Sequence, residues 1–207
     1  MFNFYEPTVL EEWVENFYIE HDIRTPFDLT IDNISATLGI GVTFAPGIHD
    51  EAIFDEDYTH VFINSLHSPQ RQWEIFCHEL CHSLRHIGNQ LMMPNTFREL
   101  QETQANSFQL YAALPFFMIR EMNLPATQNE IIDHLSKEFG VTHQLANRRW
   151  DQILRRVTRG RSHYEFVTTL ANQYKRADPA NWSHETKKLF HLAIQRKLRK
   201  GEGVVSR

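Results

Sequence analysis

The sequence predicts an α+β fold, mostly helical, with one small sheet early in the chain. Three observations predict it. Residues rich in β-formers are confined to positions 40–64, apolar residues recur at helical spacing on both sides of that stretch, and Gly and Pro mark the boundaries. The 207 residues suffice for one domain, or one domain with an appendage.

The elements follow in order. Within 8–21, Val9, Trp13, Phe17 and Tyr18 fall at helical spacing and predict an amphipathic helix. A short helix over 30–38 ends at Gly39. Runs at 40–44, 51–54 and 60–64, separated by Pro46-Gly47 and by the acidic turn at 55–57, predict three strands of a small antiparallel sheet. Helical periodicity returns over 69–86, and again over 97–114 up to Pro115. Helices over 127–139 and 142–156 meet at Gly140. Two more are expected over 164–175 and 183–200, divided by Asp178-Pro179.

Composition narrows the class. Hydrophobic residues at 42% and charged residues at 23% fit a soluble globular protein rather than a disordered one. No run approaches the roughly 18 consecutive apolar residues of a membrane span, and the first residues lack the basic and apolar segments of a signal peptide. The two cysteines, Cys77 and Cys81, lie four apart on one expected helix, so no disulfide framework is implied and a reducing cytoplasm is the expected compartment. The net charge of −5 hides an asymmetry: from residue 148 onward there are 15 Lys and Arg against 5 Asp and Glu, and before it 6 against 21. Such a split fits a nucleic-acid contact, an acidic partner, or a basic tail docked on its own acidic body.

His78-Glu79-Leu80-Cys81-His82 matches H-E-x-x-H. On a helix, positions four apart lie about 40° from each other, so both imidazoles reach one ion. A catalytic zinc takes three protein ligands and leaves its fourth position to water. Glu79 is placed to reach that water and act as general base rather than to bind the ion. Trp73, Cys77, Leu80, Cys81, Leu84 and Ile87 form the apolar stripe, with His78 and His82 at its edge. The cysteines are expected in the core rather than on the metal.

The third ligand separates classes. The extended pattern H-E-x-x-H-x-x-G-x-x-H is excluded, because Arg85 and Gly88 stand where Gly and His would be needed. Glu99 and Glu102, on the following helix, both qualify by distance. Glu102 is preferred because E-x-x-A-N sets small Ala105 beside it and Asn106 one turn on, where an amide can support a ligand. His86 is a weaker rival.

With these residues in place, the chain resembles the ImmA/IrrE-type metallopeptidases, whose H-E-x-x-H is followed by E-x-x-A-N-x-F-A-A-x-L-L-M-P. Here the second element reads Glu102-Thr103-Gln104-Ala105-Asn106-Ser107-Phe108, then Gln109-Leu110-Tyr111-Ala112-Ala113-Leu114-Pro115. The spacing to the proline is kept; the departures fall at positions 109, 110 and 112–114. Ile63-Asn64 and Arg71 resemble the family's approach to the zinc helix, and 139–148 its second helical pair, with Thr142 where Ser is usual.

The likeness covers about 8–156. It implies a gluzincin-like zinc peptidase domain over 1–125, a helix-turn-helix-like pair over 126–158 and a basic helical extension over 159–207. It further implies a cytoplasmic endopeptidase that cleaves one regulatory protein, a helix-turn-helix repressor of a phage or mobile element, and so derepresses genes. The ligands carried over are His78, His82 and Glu102, with Glu79 as base, zinc as the ion and manganese as the alternative. Tyr111 and His86 are candidates to stabilise an oxyanion.

A direct DNA-binding role is the second expectation. Gln144, Asn147, Arg148 and Arg149 on the second helix of the pair could contact DNA directly, in which case the metal site would be structural or vestigial. The tail's Lys187, Lys188, Arg196, Lys197, Arg199 and Lys200 surround an apolar stripe of Leu189, Phe190, Leu192, Ile194 and Leu198.

Overall fold

A computed structural model describes residues 2–55, 58–86, 94–173 and 179–199. The expected turn at 55–57, Ile87, Gly88, Lys175, Asp178 and Lys200 fall wholly or partly outside these residues. Two compact units are present, Met1–Arg161 and Ser162–Arg207. No helix among the described residues is long and apolar enough to cross a membrane.

In the first unit, helix α1 (Val9–Glu20) starts at Thr8, whose side chain accepts from the Glu11 N–H. Its buried face is Glu11, Val14 and Tyr18, while Val9 is exposed. Trp13, Phe17 and Tyr18 of the expected face pack on the core, and beside them Glu11 packs inward, where its carboxylate meets Arg149 and Arg156. Helix α2 (Ile31–Leu38) ends as expected at Gly39, which adopts φ +67, a left-handed C-cap that suits glycine.

Strands β1 (Gly41–Ala45), β2 (Glu51–Phe54) and β3 (Thr59–Asn64) lie in the order β1-β3-β2. β2 pairs with β3 antiparallel, but β1 pairs with β3 parallel, so the sheet is mixed rather than antiparallel as expected. The cause is the loop after β1. It does not turn back on its own strand but crosses the end of β3. Asn64 holds it there, with its Oδ1 accepting from the Gly47 N–H at 2.9 Å and its N–H donating to Asp50 Oδ1 at 2.8 Å. Gly47 supplies the φ of +74 that this path requires.

Helix α3 (Pro69–Arg85) carries the H-E-x-x-H segment. Ser68 caps it, Pro69 opens it, and Trp73, Phe76, Cys77, Leu80 and Cys81 are buried along it. It packs against β2, β3 and helix α4 (Asn95–Ala113). α5 (Phe116–Ile119) is a single turn after Pro115. α6 (Gln128–Glu138) begins with a capping box formed by Thr127 and Glu130.

Gly140, with φ +61, turns the chain into α7 (His143–Gln173). This helix is continuous where the sequence predicted a stop near residue 156. Its Leu145, Ala146, Trp150, Ile153 and Val157 complete the core. A Cβ at Gly160 would overlap the Phe4 carbonyl, so glycine here admits the N-terminal segment against the helix.

The second unit holds the end of α7 and helix α8 (His184–Arg199). Leu189, Phe190, Leu192 and Leu198 are exposed on α8, and Trp182 meets Phe190 edge to face.

Candidate metal centre

One turn of α3 separates His78 from His82, and α4 brings Glu102 across to them. His78 Nε2 lies 3.2 Å from Glu102 Oε2 and 3.3 Å from His82 Nε2, while His82 Nε2 lies 3.5 Å from Glu102 Oε1. Bonds of about 2.0–2.1 Å to a tetrahedral ion place neighbouring donors about 3.3 Å apart, so this trio fits such an ion in both donor chemistry and spacing. Among the described residues it is the one group of His, Cys, Asp and Glu whose donor atoms converge in this way. Glu99, the other expected candidate, is exposed and outside the group.

Electrostatics favours neutral imidazoles. Burial lowers the pKa of His78, partly offset by the Glu102 carboxylate. Burial, then His78 and His86, push His82 down to about 4. Both rings are therefore neutral at neutral pH, and each can offer a lone pair.

Glu79 is half-buried beside them. Burial raises its pKa to about 7, with Glu102, Asp50 and Glu51 adding to the rise and a hydrogen bond from the Ala52 N–H opposing it. That bond ties the carboxylate to strand β2, a link invisible in the sequence.

The cysteines are buried in the core, free of any disulfide. Burial raises both thiols, that of Cys81 to about 12, so neither offers a thiolate.

Other expectations are corrected by position. Asn106 donates to the backbone carbonyl of Glu102 at 2.8 Å, steadying the helix rather than the carboxylate. Tyr111 is buried and engaged elsewhere, its hydroxyl accepting from Arg156 at 2.5 Å and from Gln152 at 3.3 Å. His86 lies behind His82, with its Nδ1 2.9 Å from His82 Nδ1 and its Nε2 3.2 Å from Gln104 Oε1. The signal for His86 was its spacing: it repeats, after His82, the interval from His78 to His82.

The expected DNA-contacting set is also changed. Arg149 is fully buried and paired with Glu11, its Nε donating to the Leu114 carbonyl at 3.0 Å. It cannot reach a groove. Asn147 donates to Asp151, and Gln144 and Arg148 remain exposed.

The model of the IrrE N-terminal-like domain (Peptidase_M78) matches residues 37–151, more than half of the chain. The chain is 34% identical over 188 residues to the phage-like element PBSX protein XkdA of Bacillus subtilis strain 168, covering 88% of this chain and 94% of that protein. It is 31% identical over 154 residues to the uncharacterized protein YqaB of the same strain, covering 74% and 89%. Among solved structures, a Mycobacterium tuberculosis transcriptional regulator superposes with a TM-score of 0.46 at 18% identity, over 66% of this chain and 45% of that one.

Proposed function

The chain belongs to the ImmA/IrrE-type family of metallopeptidases, and from that premise we propose that it is a zinc-dependent endopeptidase acting on one regulatory protein. The observation that carries the proposal is the convergence of His78, His82 and Glu102 at tetrahedral spacing, with Glu79 next to His78 on the same helix and within reach of the Glu102 charge. In this reading the first three are the metal ligands and Glu79 is the general base. Zinc is the ion that two imidazoles and one carboxylate favour, with manganese as the alternative.

A divalent ion held there supplies Lewis acidity, making water a stronger acid and drawing charge from a scissile carbonyl. The chain's own residues do the rest. Glu79 follows His78 on α3, so its carboxylate adjoins the donor set without entering it. In its base form it takes a proton from the attacking water, and in its acid form it returns one to the departing amine nitrogen. The Ala52 N–H orients the carboxylate for both transfers, and burial keeps bulk water from competing.

The substrate is a helix-turn-helix repressor of a phage or mobile element, cut in the cytoplasm to release the genes it silences. Support comes from the relative named for a phage-like element. Burial of Arg149 in an ion pair counts against direct DNA reading by the α6–α7 pair.

The test is incubation of the purified protein with the repressor encoded beside its gene, with and without a chelator, using wild type and Glu79→Gln. A discrete cut made by the wild type alone, and only without chelator, is expected. Cleavage that survives the chelator or Glu79→Gln would overturn the mechanism. Binding without cleavage would replace proteolysis by sequestration.

A further inference from the structure

His82 presents one ring nitrogen to the donor set and the other to a second histidine. Its Nε2 lies 3.3 Å from His78 Nε2 and 3.5 Å from Glu102 Oε1, while its Nδ1 lies 2.9 Å from His86 Nδ1. Two imidazole nitrogens form a hydrogen bond only when one carries the hydrogen and the other a lone pair. A ligating Nε2 is bare, so the proton of neutral His82 sits on Nδ1 and His82 donates. His86 Nδ1 is then the bare acceptor. The one proton of neutral His86 falls on Nε2, which faces Gln104 Oε1 at 3.2 Å and Cys81 Sγ at 4.0 Å, both able to accept. With His82 Nε2 as a ligand the protons follow one direction, from His82 to His86 and from His86 to Gln104, away from the donor set.

We propose that His86 is a positioning residue of the metal centre: accepting from His82 and donating to Gln104, it holds His82 in the ligating tautomer and couples the two helices that carry the ligands. Gln104 stands two residues from Glu102 on α4, and His86 is the C-cap of α3, so the relay closes the same helix pair that the ion would bridge. His86 is not itself among the converging donors. The backbone supports its placement, with the His86 N–H donating to the His82 carbonyl at 3.2 Å.

This inference rests on the ligand assignment proposed above, and the experiment separates the two. Zinc affinity is measured on the full chain by competition with a chromophoric chelator, for wild type, His82→Ala, His86→Leu, His86→Asn and Gln104→Leu. His86→Leu, which removes the acceptor but keeps bulk, is expected to weaken zinc by about 10- to 100-fold. His86→Asn, whose Oδ1 replaces Nδ1 as acceptor, should retain most of the affinity, and Gln104→Leu should lose less than His86→Leu. Long-range nitrogen–proton NMR of the zinc-loaded wild type should find His86 protonated on Nε2 and bare on Nδ1.

Wild-type affinity in His86→Leu, equal loss in His86→Asn and His86→Leu, or a proton on His86 Nδ1 would each overturn the inference. If His86→Leu does not fold, the tautomer seen in the wild type decides alone. Failure of the ligand assignment looks different: the wild type would bind no zinc, or His82→Ala would keep it.

Discussion

Two polar centres lie inside the first unit, built from similar chemical stock and left in opposite states. Around Glu11, charge is closed on itself. Its carboxylate accepts from Arg149, Arg156 and, at 2.6 Å, Tyr5, while Arg156 donates on to Tyr111 and Arg149 to Gln152 and the Leu114 carbonyl. Around His78, His82 and Glu102, the donor atoms converge at 3.2–3.5 Å with the Glu102 side chain 42% exposed, so this centre opens to solvent. Buried charge is costly unless paired, so the closed pairing of the first centre holds the fold together, while the second, in the function proposed above, serves to bind a cation. Exposure to solvent, rather than polarity, separates the two centres.

The largest effect should come from the one group beside the open centre that need not bind the ion. Glu79→Gln keeps the shape and the Ala52 bond partner but cannot accept a proton. Activity should fall by about 10²- to 10⁴-fold, with metal content unchanged. Steady-state cleavage and metal analysis of the same preparation check this. Loss of the metal together with activity would make Glu79 a ligand and blur the contrast.

The closed centre should answer in stability instead. Glu11→Leu leaves Arg149 buried without its carboxylate, which costs about 3–5 kcal/mol by denaturant unfolding. Metal affinity of the molecules that remain folded should not change. The same carboxylate predicts a pH dependence. Burial pushes its pKa up, but Arg149, Tyr5 and Arg156 outweigh that and hold it below the ordinary 4.5. Its stabilisation is therefore present above the ordinary carboxylate range and lost as pH falls through the lowered folded value. Wild type should show this acid loss and Glu11→Leu should lack it. Glu15, raised by burial and by Glu11, works in the opposite sense as pH rises.

How far each centre could be read in the sequence follows from the same difference. The metal motif is local: His78 and His82 are one helical turn apart, and Glu102 lies in a spaced pattern on the next helix. Glu11 and Arg149 are separated by 138 positions, and nothing in either neighbourhood announces the other. Each looks like an ordinary surface charge, which is why Arg149 was expected on DNA. The mixed sheet was hidden for a related reason. Strand propensity located all three strands, but the parallel pairing of β1 depends on Asn64 and Asp50 holding the crossing loop. The Ala52–Glu79 bond and the His86–Gln104 relay are likewise products of packing.

Metal should reconcile the two centres in one measurement. An ion at about 100 times its dissociation constant stabilises by about 2.7 kcal/mol, or roughly 5–11 °C in Tm for a domain of this size. Chelation should remove that shift, and His82→Ala should never show it. Glu11→Leu should show the full shift from a lower starting point. Because burial lowers the pKa of both histidines, proton competition with the metal should begin only below the usual histidine range of about 6.5. A metal shift that disappears in Glu11→Leu would mean the two centres are not independent.

The smallest effect tests a polar group that belongs to neither state. Glu74 is a buried carboxylate on α3, four residues before His78, yet its partners are structural: the Thr142 N–H at 2.8 Å, the Thr142 hydroxyl at 2.6 Å and Arg71 at 3.2 Å. It pins the start of α7 to the helix that carries the histidines. In Thr142→Val the hydroxyl bond and the cap to the Leu145 N–H are lost, while the other two bonds to Glu74 remain. The expected loss is about 1–2 kcal/mol of stability, and Thr142→Ser should restore nearly all of it. Zinc affinity should move little, because a carboxylate still held by Arg71 and a backbone N–H keeps α3 in place. A larger fall in zinc affinity than in stability would show that the α6–α7 corner sets the angle of the ligand helix, and Glu74 would then join the open centre rather than the closed one.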